Sequence, residues 1–252
     1  MSRPRTALVT GGTAGIGQAI AEALLQSGFI VAVIGRRPAP LAAMREKGFV
    51  AIECDVSDPS AIERTAGLLP KDFSSLDALV NAAGIVAREH LDEATVKTSI
   101  AQIAANLMGT IWCCRTFLPS LQQARGSIVN FSSGLVVRPA VGTSVYAATK
   151  GGVEAFTRSL AFEVGPVGVR VNAIAPSLVR SDIWTSAGMT PTQYENMLAE
   201  RGSQYPLGRT GEGKDVASLT SFLVSPQASW LTGAIIPLDG GSALGLHPPR
   251  QV

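Results

Sequence analysis

Tyr146 and Lys150 stand four residues apart in SVYAATKGGVEAF, a stretch with helical period. One helix face therefore carries both and can set an ammonium beside a phenol, where the charge of one acts on the protonation of the other. Near the start of the chain, TALVTGGTAGIGQAIAEAL reads as a strand ending at Thr10, a turn holding Gly11, Thr13, Gly15, Ile16 and Gly17, and an amphipathic helix. Such a turn lets backbone N–H groups approach a pyrophosphate, which the helix dipole also attracts. The alternative is an ordinary glycine-rich turn. A second strand, FIVAVIG, ends where a dinucleotide fold reads the adenosine ribose, and there the chain has Gly35, Arg36 and Arg37 in place of a carboxylate. Arginines there can fork around a 2′-phosphate, which favours NADP with NAD possible; the alternative is a solvated pair of arginines. Asp55 and Val56 follow the third strand, for an adenine edge contact or, in the case of Asp55, a cap on the helix starting near Pro59. After the fourth strand, Asn81, Ala82, Ala83 and Gly84 are small enough for the chain to pass close beneath a cofactor, or simply to turn.

The elements that must position these groups follow from hydrophobic period. Short runs rich in Val, Ile and Ala mark strands near 6–10, 29–34, 49–53, 76–81, 127–132, 168–174 and 233–237. Helical period fills the gaps at 15–28, 38–47, 59–70, 96–123, 144–164, 192–202 and 213–224. The alternation predicts an α/β, Rossmann-type doubly wound fold: a seven-stranded parallel sheet with helices on both faces, in one domain over 1–252. The irregular stretch 176–191, opening at Pro176, is the candidate substrate lid, extended to about 210 by the helix that follows; the tail 244–252 is expected to be frayed or docked on a neighbour.

Composition narrows the function classes. Charged residues make up 16% of the 252, with 21 basic and 19 acidic side chains scattered along the chain, so a nucleic-acid partner is not expected. No apolar run reaches the length of a membrane span, and a motif beginning at Thr10 leaves no room for a cleaved leader. Three cysteines, two of them adjacent, form neither a disulfide framework nor a zinc pattern, so no metal is expected and a cytoplasmic setting fits.

Taken together, the motifs resemble those of the short-chain dehydrogenase/reductase family, in its single-domain branch. Thr10 to Gly17 is similar to the TGxxxGxG loop, Asn81 to Gly84 to the N(N/A)AG stretch, and Asn106, Ser133, Tyr146 and Lys150 to the family tetrad. NAIAPSLVRSD resembles the segment that closes on the nicotinamide, which adds Pro176, Val179 and Ser181 to the expected cofactor contacts. Ser177 replaces the usual Gly, with a possible restriction of the lid hinge, and Ser181 the usual Thr. The resemblance implies hydride transfer at a carbonyl or carbinol carbon. Tyr146 would be acid in reduction and base in oxidation, its ionisation favoured by Lys150 and an oxidised nicotinamide, and Lys150 would also hold the nicotinamide ribose. Ser133 would bond the reacting oxygen, and Asn106 would hold a water leading from Lys150 to solvent.

Mostly apolar pocket candidates, Ile85, Val86, Leu135, Val136, Val141, Ile183 and Trp184, suit an acyl or hydrophobic ketone. The leading expectation is an NADP-dependent ketoreductase resembling 3-oxoacyl-[acyl carrier protein] reductases. The alternatives are an NAD-dependent secondary alcohol or polyol dehydrogenase and a dinucleotide-binding scaffold without turnover. Apolar helix surface over 96–123 and 144–164 leads to the expectation of a homotetramer, or at least a dimer.

Overall fold

The computed structural model describes residues 3–246 apart from 182 and 187; most of the C-terminal tail, 247–252, lies outside the described residues. In chain order the strands are β1 (Arg5–Thr10), β2 (Phe29–Gly35), β3 (Val50–Glu53), β4 (Ala78–Asn81), β5 (Ser127–Phe131), β6 (Arg170–Pro176) and β7 (Ile235–Leu238). All pair in parallel, in the order β3-β2-β1-β4-β5-β6-β7. The order reverses between β1 and β4, and at such a switch point the two connections leave in opposite directions, opening a crevice at the C-terminal ends of the strands.

Helices cover both faces: α1 (Gly15–Gln26), α2 (Pro38–Glu46), α3 (Pro59–Leu68), α4 (Val96–Gln102), α5 (Gly109–Ala124), α6 (Ser144–Val164), α7 (Ile183–Ser186), α8 (Pro191–Gln204) and α9 (Gly213–Leu223). Successive strand residues point to opposite faces, and the sequence supplies apolar residues for both. Ala7 and Val9 of β1 join Val31 and Val33 of β2 beneath Ile20, Leu24, Met44 and Val216. Leu8, Ala32 and Ile34 join Leu79 and Ile128 beneath Ile62, Phe117, Leu121 and Val164 on the other side. These residues are buried, so each large side chain contributes about 1.5–3 kcal/mol of burial.

The expected strands and long helices are present, with two differences. The single helix expected over 96–123 is α4 and α5 joined by a π-helical stretch, Ile103–Met108. Apolar period does not register the extra residue in a π turn, because the helix resumes its direction afterwards. Within the expected loop 176–191, Ile183–Ser186 forms the short α7. The helix that follows, α8, begins with a capping box in which Thr190 and Gln193 bond each other's backbone N–H, with Pro191 at its first position.

Candidate active site

At the crevice, β1 delivers the glycine turn. Gly11 has φ +64°, and a Cβ on it would lie 2.9 Å from Ala83 Cα, so the close passage of the two strand ends requires glycine. Thr10 ties the same ends together, its hydroxyl accepting from Ala83 N–H at 3.0 Å. A Cβ on Gly17 would collide with Gly11 O, so α1 can start this close beneath the turn only with glycine there. No side chain caps α1 at Ala14 and its first turn has no acidic residue, which leaves the N-terminal N–H groups facing the cleft for an anion. The turn opens into a cleft of about 390 Å³.

That cleft brings together Gly11, Thr13, Gly15, Ile16, Gly17, Arg36, Arg37, Asp55, Val56, Ala82, Gly84 and Ser181 from the sequence expectation. Its walls also include Cys54, Ala105 and Ser186, which no motif singled out. Asn81, Tyr146, Lys150, Pro176 and Val179 are not among the lining residues. Asn81 is buried, and its amide donates to Asn130 Oδ1 at 2.9 Å and to Cys114 Sγ at 3.3 Å, toward the helical layer. Pro176 pairs with Leu238 in the sheet, and Val179 forms a bridge with Gly211.

At the ribose end, Arg36 sits 3.6 Å from Asp55 with both side chains partly exposed. A Cβ on Gly35 would lie 2.9 Å from Thr13 Oγ1, so the glycine turn itself crowds out a larger residue at the end of β2. Asp55 does not cap α3. Its Oδ1 accepts from Ser57 N–H and hydroxyl, while Asp58 caps α3 through Ser60 N–H at 2.9 Å. These Ser57 bonds and Arg36 hold the Asp55 carboxyl below its ordinary value, against the upward push of burial, which is the largest single influence.

Beyond Gly84 the tetrad groups are all buried. Ser133 ends the stretch after β5, with its hydroxyl accepting from Leu135 N–H at 3.2 Å and bonded to Tyr146. Lys150 lies one turn after Tyr146 on α6, its Nζ 5.8 Å from the phenol ring centre, and donates to Phe131 O at 2.8 Å. A Cβ on Gly84 would stand 3.1 Å from Asn106 Oδ1 and 3.6 Å from Lys150 Nζ, which fixes how close the cleft floor comes to both.

Burial pushes the Tyr146 phenol up to about 12, against a smaller downward pull from Ser133, and brings the Lys150 ammonium down to about 8. Lys150 points its hydrogen bond at a main-chain carbonyl, so desolvation outweighs the attraction of charge.

Asn106 lies in the π stretch with its side chain turned to the main chain of Ile85. It donates from Nδ2 to Ile85 O at 2.9 Å and accepts at Oδ1 from Ile85 N–H at 2.8 Å. Nδ2 also reaches Thr149 Oγ1 at 3.2 Å, and the Thr149 hydroxyl donates to Tyr146 O. These bonds clamp the segment after Gly84. Thr149 was not singled out; its place three residues after Tyr146, on the same helix face, was the available signal.

The substrate-side candidates separate. Ile183, Ile85 and Val86 line the cleft, while Leu135, Val136, Val141 and Trp184 do not, and Val141 is exposed beside Arg88. After β6, Ser177 pairs with the Tyr205 hydroxyl at 2.7 Å, and Ser181 N–H donates to the Tyr194 hydroxyl at 2.8 Å. Ser177 is not at positive φ, so the expected backbone restriction gives way to a side-chain tie. Among the described residues no group of His, Cys, Asp and Glu could hold a metal ion, and no helix is long and apolar enough to cross a membrane.

Comparison with known proteins shows what the chain as a whole is similar to. The family model described as Enoyl-(Acyl carrier protein) reductase matches residues 11–243. A 3-oxoacyl-[acyl-carrier-protein] reductase of Bos taurus is 35% identical over 240 residues, covering 94% of this chain and 97% of that protein. Carbonyl reductase family member 4 of Xenopus laevis is 37% identical over 241 residues, covering 94% and 98%. Among solved structures, the ligand-free aldohexose dehydrogenase of Thermoplasma acidophilum superposes with a TM-score of 0.89 at 30% identity, covering 99% of this chain and 97% of that one.

Proposed function

Since the chain belongs to the short-chain dehydrogenase/reductase family and is an NAD(P)-dependent oxidoreductase, we propose that it is an NADP(H)-dependent ketoreductase of the 3-oxoacyl type, with residues 1–252 acting as one catalytic unit. The observation that supports this reading is the 35% identity to a 3-oxoacyl-[acyl-carrier-protein] reductase over nearly the whole chain, with Arg36 and Arg37 at the cleft wall where β2 ends. A buried phenol at about 12 is fully protonated at neutral pH and is placed to give its proton to a carbonyl oxygen.

The glycine turn and the α1 N-terminus would hold the cofactor pyrophosphate, Arg36 and Arg37 the 2′-phosphate, and Lys150 the nicotinamide ribose. When bound, NADPH supplies a hydride to the carbonyl carbon. Ser133 donates to the substrate oxygen and stabilises its developing charge, and Tyr146 transfers its phenolic proton to that oxygen. The Lys150 ammonium then favours the phenolate left behind, until solvent returns a proton to it. Asn106 keeps the Gly84–Ile85 segment at its distance from Lys150 and acts by position.

NADPH oxidation followed against a panel of 3-oxoacyl thioesters and simple ketones tests the reading. Turnover of the thioesters is the expected result, and no turnover with any of them removes it. The likeness to an aldohexose dehydrogenase favours a second reading, oxidation of a polyol or sugar hydroxyl with NAD, for which aldohexoses with NAD would be the productive pair.

The reduction rate should carry an alkaline limb set by Lys150. Its ammonium persists below about 8 and is lost above it, so kcat/KM should be level from about pH 6 to 8 and then fall close to tenfold per unit. Tyr146 does not contribute, because it stays protonated through this range. A profile level to pH 9.5 would show that the charge on Lys150 is not used.

Self-association belongs to the same reading. Val96, Ile100 and Ile103 along α4 and the π stretch are exposed, as is Phe162 on α6 at 90% exposure, an apolar surface suited to a second copy in a dimer or homotetramer. Light scattering at micromolar concentration should give a multiple of the 26.2 kDa chain mass; a 26 kDa species alone would refute it. The cysteines, Cys54, Cys113 and Cys114, are free and buried, in keeping with a cytoplasmic setting.

A further inference from the structure

A cavity of about 730 Å³, larger than the cleft, opens at the N-terminal ends of β1, β5 and β6. Arg5 begins β1 at this cavity and Thr10 ends β1 at the cleft; a strand of that length spans about 17 Å, so nothing in the cavity touches the cofactor end. Three arginines, Arg5, Arg125 and Arg170, line it with one acid, Asp77. The Asp77 carboxylate is already matched: Arg3 grips it at 2.7 and 2.8 Å, and Thr6 N–H donates to it. Arg5 is likewise engaged, lying 4.2 Å over the Phe29 ring and donating to Ser27 O.

Arg125 and Arg170 remain without a carboxylate partner among the described residues. Arg170 donates from Nη2 to Ser225 O at 3.3 Å, but its Nη1 is buried with no acceptor. A guanidinium cannot shed its proton to relieve that deficit, so the atom calls for an acceptor from outside the chain. Arg125 is the only non-glycine residue at positive φ among the described residues, at +50°. That left-handed conformation is unfavourable for a residue with a Cβ, and here it swings the arginine stem across Gly168 at the cavity wall. Trp230, also lining the cavity, is fully exposed and presents an indole face that none of the described residues covers.

We propose that this cavity binds a small organic oxyanion, a phosphate or carboxylate on an apolar or aromatic body, with Arg170 and Arg125 holding the oxyanion and Trp230 covering the body. Paired guanidinium groups match the geometry of such an anion, and the cavity volume suits a molecule of cofactor-fragment size.

Titration calorimetry with phenyl phosphate tests this on the wild type and on Arg170→Gln, Arg125→Ala and Arg36→Ala. Binding to the wild type should weaken at least tenfold in Arg170→Gln and in Arg125→Ala and stay unchanged in Arg36→Ala. Equal affinity in the wild type and both cavity variants would overturn the proposal, as would a loss confined to Arg36→Ala, which would place the ligand in the cleft. Absence of any binding up to 10 mM would leave the Arg170 atom satisfied by water and end the idea. Arg125 is at the surface end of α5, so its variant keeps the test valid should Arg170→Gln fail to fold.

Discussion

Replacing Tyr146 by Phe is expected to lower kcat for ketone reduction about 10³-fold while leaving NADPH binding close to wild type. The substitution removes one oxygen from a ring that is 8% exposed, so packing and the helix it belongs to are retained. What is lost is the phenolic proton beside Ser133, whose own hydroxyl keeps the Leu135 N–H. The Ser133 hydroxyl can still polarise a carbonyl, but it is a far weaker acid than the phenol, and the proton must then come from water. Because the phenol contributes only in the reacting state, kcat and kcat/KM should fall together with KM little changed. Lys150→Ala should differ in kind, weakening cofactor binding as well as rate. Single-turnover rates beside cofactor titrations separate the two; a Tyr146→Phe enzyme keeping more than a tenth of wild-type turnover would remove the assignment.

The parts of this arrangement that were legible in the sequence are those whose signal is local. Tyr146 and Lys150 announce themselves by spacing within one helix, and the glycine turn by its place between a strand and a helix. The strands were legible because a parallel sheet buried on both faces needs continuous apolar runs. What escaped depends on residues far apart in the chain. Nothing near Ser177 marks Tyr205, 28 residues on, as its partner, so a residue that looked like a hinge defect is a tie between the end of β6 and the end of α8. Asp55 and Asp58 both precede Pro59 by a plausible capping distance, and only the fold decides that Asp58 caps while Asp55 faces Arg36. The burial of Tyr146 and Lys150 escaped for the same reason: the sequence places a cation near the phenol but does not reveal how completely both groups are buried, with desolvation raising the one and lowering the other.

Arg36→Ala is expected to weaken NADPH binding at least tenfold while leaving NADH nearly unchanged. A charge-assisted contact to a phosphate contributes about 1.5–3 kcal/mol, which corresponds to ten- to more than hundredfold in affinity. Two features of the site place the expectation toward the lower end. Arg36 is 62% exposed, so solvent screens it, and Asp55 lies 3.6 Å away, where its carboxylate competes with the incoming phosphate for the guanidinium and repels it. Ala14 supplies no second cation from the glycine turn, although Arg37, beginning α2 at the cleft wall, can share the load. The same reasoning gives Asp55→Asn the opposite sign: relieved of its anionic neighbour, Arg36 should bind the 2′-phosphate more tightly, and the ratio of NADPH to NADH affinity should rise. Titrating both reduced cofactors into the wild type and the two variants at low and high salt decides the matter, because a phosphate contact weakens as salt rises and a bare ribose contact does not. Equal NADPH and NADH affinities in the wild type would mean that the arginine after β2 is a solvated surface charge and that the cleft does not select for the phosphate.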